Sequence, residues 1–305
     1  MNEQEKKMEL TRRQFDILEA LATNKTVLSQ RDLEKVTGHS LGSINKTVKE
    51  LTDLGYMEEG VITNSGINAL EPYRAKRAIF IAAGFGSRLV PITFNTPKPL
   101  VRVHGVRIID RLIEACLEAG INEIYIVRGY LGELFDQLLY KFPMIKFLEN
   151  PMYNEANNIS SVLVARYMLS NAYVFEADLL ISNPKIIKKY HYQSDFLGIK
   201  KERSDDWCFR VEDGIIKEEK VGGEGDDIWQ MVGISYWNEA DGHRLSQDIA
   251  DVFASPGGKE RYWEQVPLVY CKEHYAVEIK DCKDEDIVEI DTFKELKAID
   301  KTYDV

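Results

Sequence analysis

Two glycines, an arginine and a lysine mark the first place where this sequence could do chemistry. The stretch Ala82-Ala83-Gly84-Phe85-Gly86-Ser87-Arg88-Leu89-Val90-Pro91-Ile92-Thr93 is followed closely by Pro97-Lys98-Pro99-Leu100. Glycines let a backbone pass close to phosphate oxygens and turn its N–H groups toward them. The Arg88 guanidinium offers such oxygens a two-pronged donor, and Lys98 adds a second positive charge. The string lacks the third glycine of a dinucleotide fingerprint and the Gly-Lys-Ser/Thr of a Walker loop. Two acids join the set: Asp178 follows the apolar run Tyr173 to Ala177, and Asp291 follows Ile287 to Ile290. Glu176 and Glu289 stand two residues before them, and strand alternation places each on its aspartate's face.

Alternating strands and helices must position these groups. Ala78 to Ala83 reads as a fully apolar strand, Ile108 to Ala119 as an amphipathic helix stopped by Gly120, and Glu123 to Val127 as a buried strand. Leu131 to Tyr140 reads as another helix, and Tyr173 to Ala177 as a third strand ending in acid. This order predicts an α/β fold with a doubly wound, mixed, mostly parallel sheet and ligands at the strands' carboxyl ends. Asp213-Gly214 marks a hairpin, so the second half mixes in antiparallel pairing.

The combined string A-A-G-x-G-S-R-x-x-P-x-T-x-x-x-P-K-P-L resembles the sugar-phosphate and alcohol-phosphate nucleotidyltransferase superfamily. The resemblance implies a Rossmann-like domain over residues 78–305 that wraps a nucleoside triphosphate with Ala82, Ala83, Gly84, Phe85, Gly86, Ser87 and Arg88. It implies that Arg88 neutralises the departing pyrophosphate and that Lys98 contacts the α-phosphate. It also implies that Asp178 and Asp291 hold Mg²⁺ between them. Phosphoryl transfer of this kind needs positioning and charge neutralisation rather than a covalent intermediate. A phosphomonoester acceptor is already an anion, with a second pKa of about 6, so no histidine is nominated as a base.

A narrower resemblance concerns the acceptor. Asn150 to Ser161, with Asn157 and Asn158 at its centre, looks like the double-asparagine segment of bacterial CTP:phosphocholine cytidylyltransferases. Both asparagines are expected at the mouth of the site, capping the next helix. In that family the base lies against Ala82-Ala83-Gly84 and the loop around Gly129 and Tyr130, here preceded by Arg128. Aromatic residues recur beside acids in Asp205-Asp206-Trp207, Ser235-Tyr236-Trp237 and Arg261-Tyr262-Trp263-Glu264. A quaternary ammonium is recognised by aromatic faces and diffuse negative charge. Trp207, Tyr262 and Trp263, with Glu264, are therefore expected to bind phosphocholine, whereas Trp237 ends a strand and suits a core. The leading expectation is CTP plus phosphocholine giving CDP-choline. Rivals are 2-aminoethylphosphonate or phosphoethanolamine as acceptor, then a sugar 1-phosphate. A primary amine would call for more carboxylates and fewer aromatic faces.

Residues 1–72 have a different grammar. Helices opened by Thr11 (with Gln14 completing a capping box), Ser29 and Ser40, a hairpin over Tyr56 to Ile62 and a last helix from Thr63 resemble a winged helix-turn-helix. Residues 73–77 read as a linker, with Pro72 ending the helix before it. The third helix offers Ser43, Asn45, Lys46, Thr47 and Lys49 to DNA, but Glu58 and Glu59 sit on the expected wing. The first 77 residues hold 12 Lys+Arg and 12 Asp+Glu, so the whole formal charge of −11 belongs to the remainder. Phosphate neutralisation dominates DNA affinity, so domain–domain or homodimer contact is favoured over DNA as this segment's role. A DNA-binding regulator that senses a ligand through a transferase-like domain is the rival of a different class. The intact Arg88, Lys98, Asp178 and Asp291 favour catalysis. Met1 to Lys7 lacks a signal peptide's apolar core, no run suits a membrane span, and Cys116, Cys208, Cys271 and Cys282 form no CxxC pair. A cytoplasmic location with free thiols is expected.

Overall fold

The computed structural model describes residues 9–24 and 27–304, so the stretch Met1 to Lys7 read above for a leader lies outside the described residues. The chain divides into two compact units, one up to Arg74 and one from Ala75.

In the smaller unit, α1 (Arg12–Thr23) and α2 (Gln30–Thr37) both begin with complete capping boxes, Thr11 with Gln14 and Ser29 with Asp32. Gly38, at φ 72°, ends α2. Ser40 occupies the N-cap of α3 (Leu41–Asp53), but its side chain makes no capping bond. The Leu41 amide is satisfied instead by the Glu34 carboxylate at 3.2 Å. Strands β1 (Met57–Glu58) and β2 (Val61–Ile62) form the hairpin, its Glu59-Gly60 turn left-handed at both residues (φ 49° and 81°). Thr63 caps α4 (Asn64–Leu70). Leu18, Leu33, Ile44, Leu51 and Leu70 are buried in the core. Thr47, read above as a groove contact, is also buried, and so is the Ser43 hydroxyl oxygen.

The larger unit starts earlier than a free linker would allow. The Ala75 amide donates to the Lys189 carbonyl and the Lys76 amide to Asn171, leading directly into β3 (Arg77–Ile81). A short hairpin, β4 (Arg102–Val103) and β5 (Val106–Arg107), precedes α5 (Ile108–Glu118). Next come β6 (Glu123–Arg128), β7 (Lys146–Glu149), α6 (Ile159–Ala165), β8 (Ala172–Glu176) and β9 (Leu179–Ile181). The second half supplies β10 (Asp195–Lys200), β11 (Arg203–Glu212), β12 (Ile215–Glu224), β13 (Ile228–Trp237) and α7 (Glu239–Ala254). It closes with β14 (Glu278–Cys282), β15 (Ile287–Glu289) and α8 (Phe293–Ile299).

The nine-stranded sheet runs β10-β14-β12-β11-β13-β8-β3-β6-β7, with β10 also paired to β13. It is parallel from β8 through β3 and β6 to β7, antiparallel where β13 meets β8, and antiparallel in the β11–β12 hairpin. From Ala78 to Ile81 strand β3 is apolar because both of its faces are covered. Ala78 and Phe80 enter one core with Phe175 and Ile113, and Ile79 enters the other with Val174 and Trp237.

The segment Gly132–Tyr140 is a 3-10 helix rather than the α-helix expected from 131. Its buried residues, Gly132, Phe135 and Leu138, recur every three positions, the period of that helix. No helix among the described residues is long and apolar enough to cross a membrane.

Candidate active site

The site lies where the parallel strands end. After β3, the Ala82 amide donates to the Val127 carbonyl and the Tyr130 amide to Ala83, so the loop starts from a fixed base between β3 and β6. Gly86 is left-handed (φ 66°), and a Cβ there would meet Lys98 at 3.1 Å and Thr93 at 3.3 Å. The Thr93 hydroxyl donates to the Gly86 carbonyl at 2.9 Å. The loop is thus folded tightly over the Thr93–Lys98 segment, which needs glycine at 86. At Gly84 a Cβ would meet nothing within 4 Å, and the residue faces the cleft.

A second device brings the two aspartates together. Strand β15 pairs antiparallel with β9, Glu289 opposite Leu179, and the Ile290 amide donates to the Asp178 carbonyl at 3.2 Å. Asp291 is then held by α8, whose capping residue Glu295 accepts from the Asp291 amide at 2.8 Å.

These elements enclose a cavity of about 340 Å³, lined by Ala82, Gly84, Gly86, Ser87, Arg88, Lys98, Asn158, Glu176, Asp178, Glu289 and Asp291 among others. Lys98 is buried, and its Nζ lies 2.7 Å from Asp178 and 3.1 Å from Asp291. Burial alone would lower its pKa, but the two carboxylates outweigh it and the net shift is upward. The more exposed Arg88 grips Asp291 with both nitrogens, at 2.6 and 2.7 Å. Oxygens of Glu176, Asp178 and Glu289 lie within 4.8 Å of one another. Burial, then Asp178 and Glu176, push Glu289 up to about 9. Burial, then Asp178 and Glu264, hold Glu176 well above the ordinary range. One Asp178 oxygen is buried without a hydrogen-bond partner among the described residues. Even with Lys98 present, the cluster has spare oxygen acceptors. Gly233 on β13 makes room for Glu176, since a Cβ there would stand 2.4 Å from its carboxylate.

The remaining expected residues divide. Asn158 lines the cleft, but its side chain does not cap α6. Its Oδ1 accepts from the Trp263 amide at 2.9 Å, and its Nδ2 donates to Glu264 at 3.4 Å. Asn157 does not line the cavity and instead donates to the Glu260 carbonyl at 3.2 Å. Tyr130 meets Phe85 edge-on, with centroids 4.7 Å apart, and donates to the Thr93 carbonyl at 2.9 Å. Gly129 gives Tyr153 a close approach. Arg128 is consumed by Asp136 and Glu149, each at 2.6 Å, and does not line the cavity.

Of the expected aromatic cage, Trp207 and Tyr262 meet with centroids 5.6 Å apart. Trp263 is corrected to a core residue. It is 3% exposed and packs on Phe196 at 5.8 Å and Trp237 at 6.1 Å. Glu219 on β12 was not among the expected residues. It sits opposite Phe209, two rungs from the Trp207–Val221 pair and therefore on the same face. Both Glu219 oxygens are buried without a donor among the described residues, and burial pushes its pKa up to about 7. Glu264 is buried as well, and burial followed by the Glu219 charge raises it to about 8.

The family profile described as Nucleotidyl transferase matches residues 77–194, and that described as MarR family matches residues 9–59. Over 229 residues the chain is 36% identical to the 2-aminoethylphosphonate cytidylyltransferase of Lancefieldella rimae, covering 74% of this chain and 92% of that one. It is 29% identical over 231 residues to the choline-phosphate cytidylyltransferase of Streptococcus pneumoniae, covering 74% and 97% respectively. The solved structure of the CTP:phosphocholine cytidylyltransferase from S. pneumoniae superposes with a TM-score of 0.68 at 28% identity, over 75% of this chain and 99% of that one. With the loop, the lysine and the converging acids in place, the chain belongs to the cytidylyltransferase branch of the nucleotidyltransferases, preceded by a MarR-like winged helix.

Proposed function

We propose that the protein transfers the cytidylyl group of CTP to a small phosphonate or phosphate monoester bearing a primary ammonium, with 2-aminoethylphosphonate as its acceptor. The observation that carries this is Glu219, whose carboxylate is buried with both oxygens lacking a donor among the described residues, beside the buried Glu264. Such acceptors call for N–H groups and positive charge together. A primary ammonium brings three N–H donors. A trimethylammonium brings charge but no donor and would leave the Glu219 lone pairs unmet. The Trp263 ring is also unavailable as a cage wall. The 36% identity to a 2-aminoethylphosphonate enzyme points the same way. The Trp207–Tyr262 pair and the S. pneumoniae relatives support phosphocholine as the second reading.

An acceptor oxygen forms the new bond to the α-phosphorus, and the bond from that phosphorus to the pyrophosphate oxygen breaks. Lys98, fixed at the floor of the cleft, supplies positive charge at the α-phosphate. Arg88, on the loop and more exposed, takes the departing pyrophosphate. Both cations are now engaged by Asp178 and Asp291, so substrate binding exchanges carboxylate partners for phosphate partners. The donor set fits Mg²⁺: all oxygen, crowded, with an unpartnered Asp178 oxygen. Asp178 and Asp291 would hold the ion, with Glu176 and Glu289 behind them, and when bound it would neutralise phosphate charge. A pyrophosphate-release screen crossing four nucleoside triphosphates with 2-aminoethylphosphonate, phosphoethanolamine, phosphocholine and hexose 1-phosphates tests the reading. The highest kcat/KM is expected for CTP with 2-aminoethylphosphonate, and preference for a hexose 1-phosphate or for phosphocholine would reject it.

A further inference from the structure

None of Asp248, Cys271 and His274 lines the cleft, and the transfer reaction leaves them without a role. Each offers one ligand atom, and these atoms all lie within 4.8 Å of one another. Asp248 comes from α7. Cys271 and His274 come from one tight turn, closed by the His274 amide donating to the Cys271 carbonyl at 2.9 Å. Their C-x-x-H spacing brings thiol and imidazole to one side, where His274 Nδ1 lies 2.8 Å from the Asp248 carboxylate. The Tyr275 hydroxyl donates to that same carboxylate oxygen at 2.5 Å.

We propose that Asp248, Cys271 and His274 form a binding site for a borderline-soft divalent metal ion, zinc above all. A thiolate, an imidazole and a carboxylate make a donor set that suits zinc, whereas the cleft acids offer oxygen alone. Zinc bonds of about 2.0–2.3 Å in a tetrahedron keep ligand atoms roughly 3.3–3.8 Å apart. The ligand atoms lie within 4.8 Å of one another, so binding would draw in the farther ones and part the His274–Asp248 pair, now 2.8 Å apart. Tyr275 already orients the carboxylate, as an outer partner of a metal ligand does. Binding would form a sulfur–metal bond, break the S–H bond and release the proton to solvent.

The site has a structural consequence. Tyr275 packs on Trp237 at 5.7 Å, and Trp237 packs on Trp263, the neighbour of Glu264. An ion here would fasten the segment carrying Glu264 to α7. That consequence rests on the acceptor reading above, but the metal site itself does not.

The test uses the full chain, stripped with a chelator and titrated with Co²⁺. A thiolate-to-cobalt charge-transfer absorption is expected, saturating at one equivalent, displaced by Zn²⁺ and unchanged in Asp178→Asn. It should vanish in Cys271→Ser, and Tyr275→Phe should weaken Zn²⁺ binding about 10- to 100-fold. Absence of the band in folded wild-type protein, or its persistence in Cys271→Ser, would overturn the proposal and leave Asp248, His274 and Tyr275 as a hydrogen-bond network. If Cys271→Ser does not fold, an unchanged band and affinity in both His274→Gln and Tyr275→Phe would overturn it equally. Failure of the cytidylyl assay with a positive cobalt spectrum would reject the functional reading alone.

Discussion

Replacing Glu219 by glutamine keeps the side chain's shape and removes its charge. A hydrogen bond to a charged group contributes about 1.5–3 kcal/mol. If the acceptor's ammonium donates to Glu219, KM for 2-aminoethylphosphonate should therefore rise about 10- to 150-fold, with KM for CTP nearly unchanged. The apoprotein should respond in the opposite direction. Burial raises the Glu219 pKa from 4.5 to about 7. A raised carboxyl pKa means that stability is fully present below about 4.5 and is lost as pH rises through about 7. At most this costs the wild type about 3 kcal/mol on the alkaline side. Glu219→Gln should thus be the more heat-stable protein at about pH 8.5, by up to roughly 6–12 °C, and the advantage should shrink toward about pH 5. The glutamine amide also lacks a partner there, which trims the gain. Steady-state kinetics and thermal melts across pH read both effects. An unchanged KM for the amine, or an equal loss with phosphocholine, would refute the ammonium assignment.

Asp178→Asn and Asp291→Asn should each lower turnover by orders of magnitude with an unchanged circular dichroism spectrum, and full activity in either with Mg²⁺ would sink the two-aspartate site. Lys98→Ala should do likewise, through loss of charge at the α-phosphate. Trp263→Ala should destabilise the fold by about 3–5 kcal/mol, because it empties a core position. Trp207→Ala should instead leave the melting temperature nearly unchanged and raise acceptor KM, and chemical denaturation beside kinetics separates the two. The full chain should bind random duplex DNA no more tightly than about 10⁻⁴ M at physiological salt. Tight, salt-sensitive binding lost in Lys46→Ala with Lys49→Ala would instead make the winged helix a DNA-binding element.

Local chemistry was the legible part of this sequence. Thr11-x-x-Gln14 and Ser29-x-x-Asp32 announce helix starts because a side-chain oxygen must meet orphan amides, and both boxes form. The glycine loop was legible for the same reason: residue type alone reports a backbone that must turn and approach closely. What depends on register was hidden. Glu218 and Glu219 are adjacent acids in a charged run, and only the pairing of β12 with β11 decides which one faces the interior. Trp263 reads as a surface residue because charged residues flank it, yet Glu264 is itself buried. The meeting of Asp178 with Asp291 depends on the β9–β15 ladder, a pairing between segments far apart in sequence. Gly233 carries no motif, and its need appears only once Glu176 lies across it.

In the proposed function, this cytidylyltransferase reads the N–H groups of its acceptor as well as its charge. Measuring kcat/KM with CTP and Mg²⁺ for 2-aminoethylphosphonate and for its N-trimethyl counterpart isolates that feature, since the two share charge and chain length. A preference of about 10-fold or more for the primary amine is expected, the equivalent of one charge-assisted hydrogen bond. Equal efficiency, or preference for the trimethylated acceptor, would contradict it.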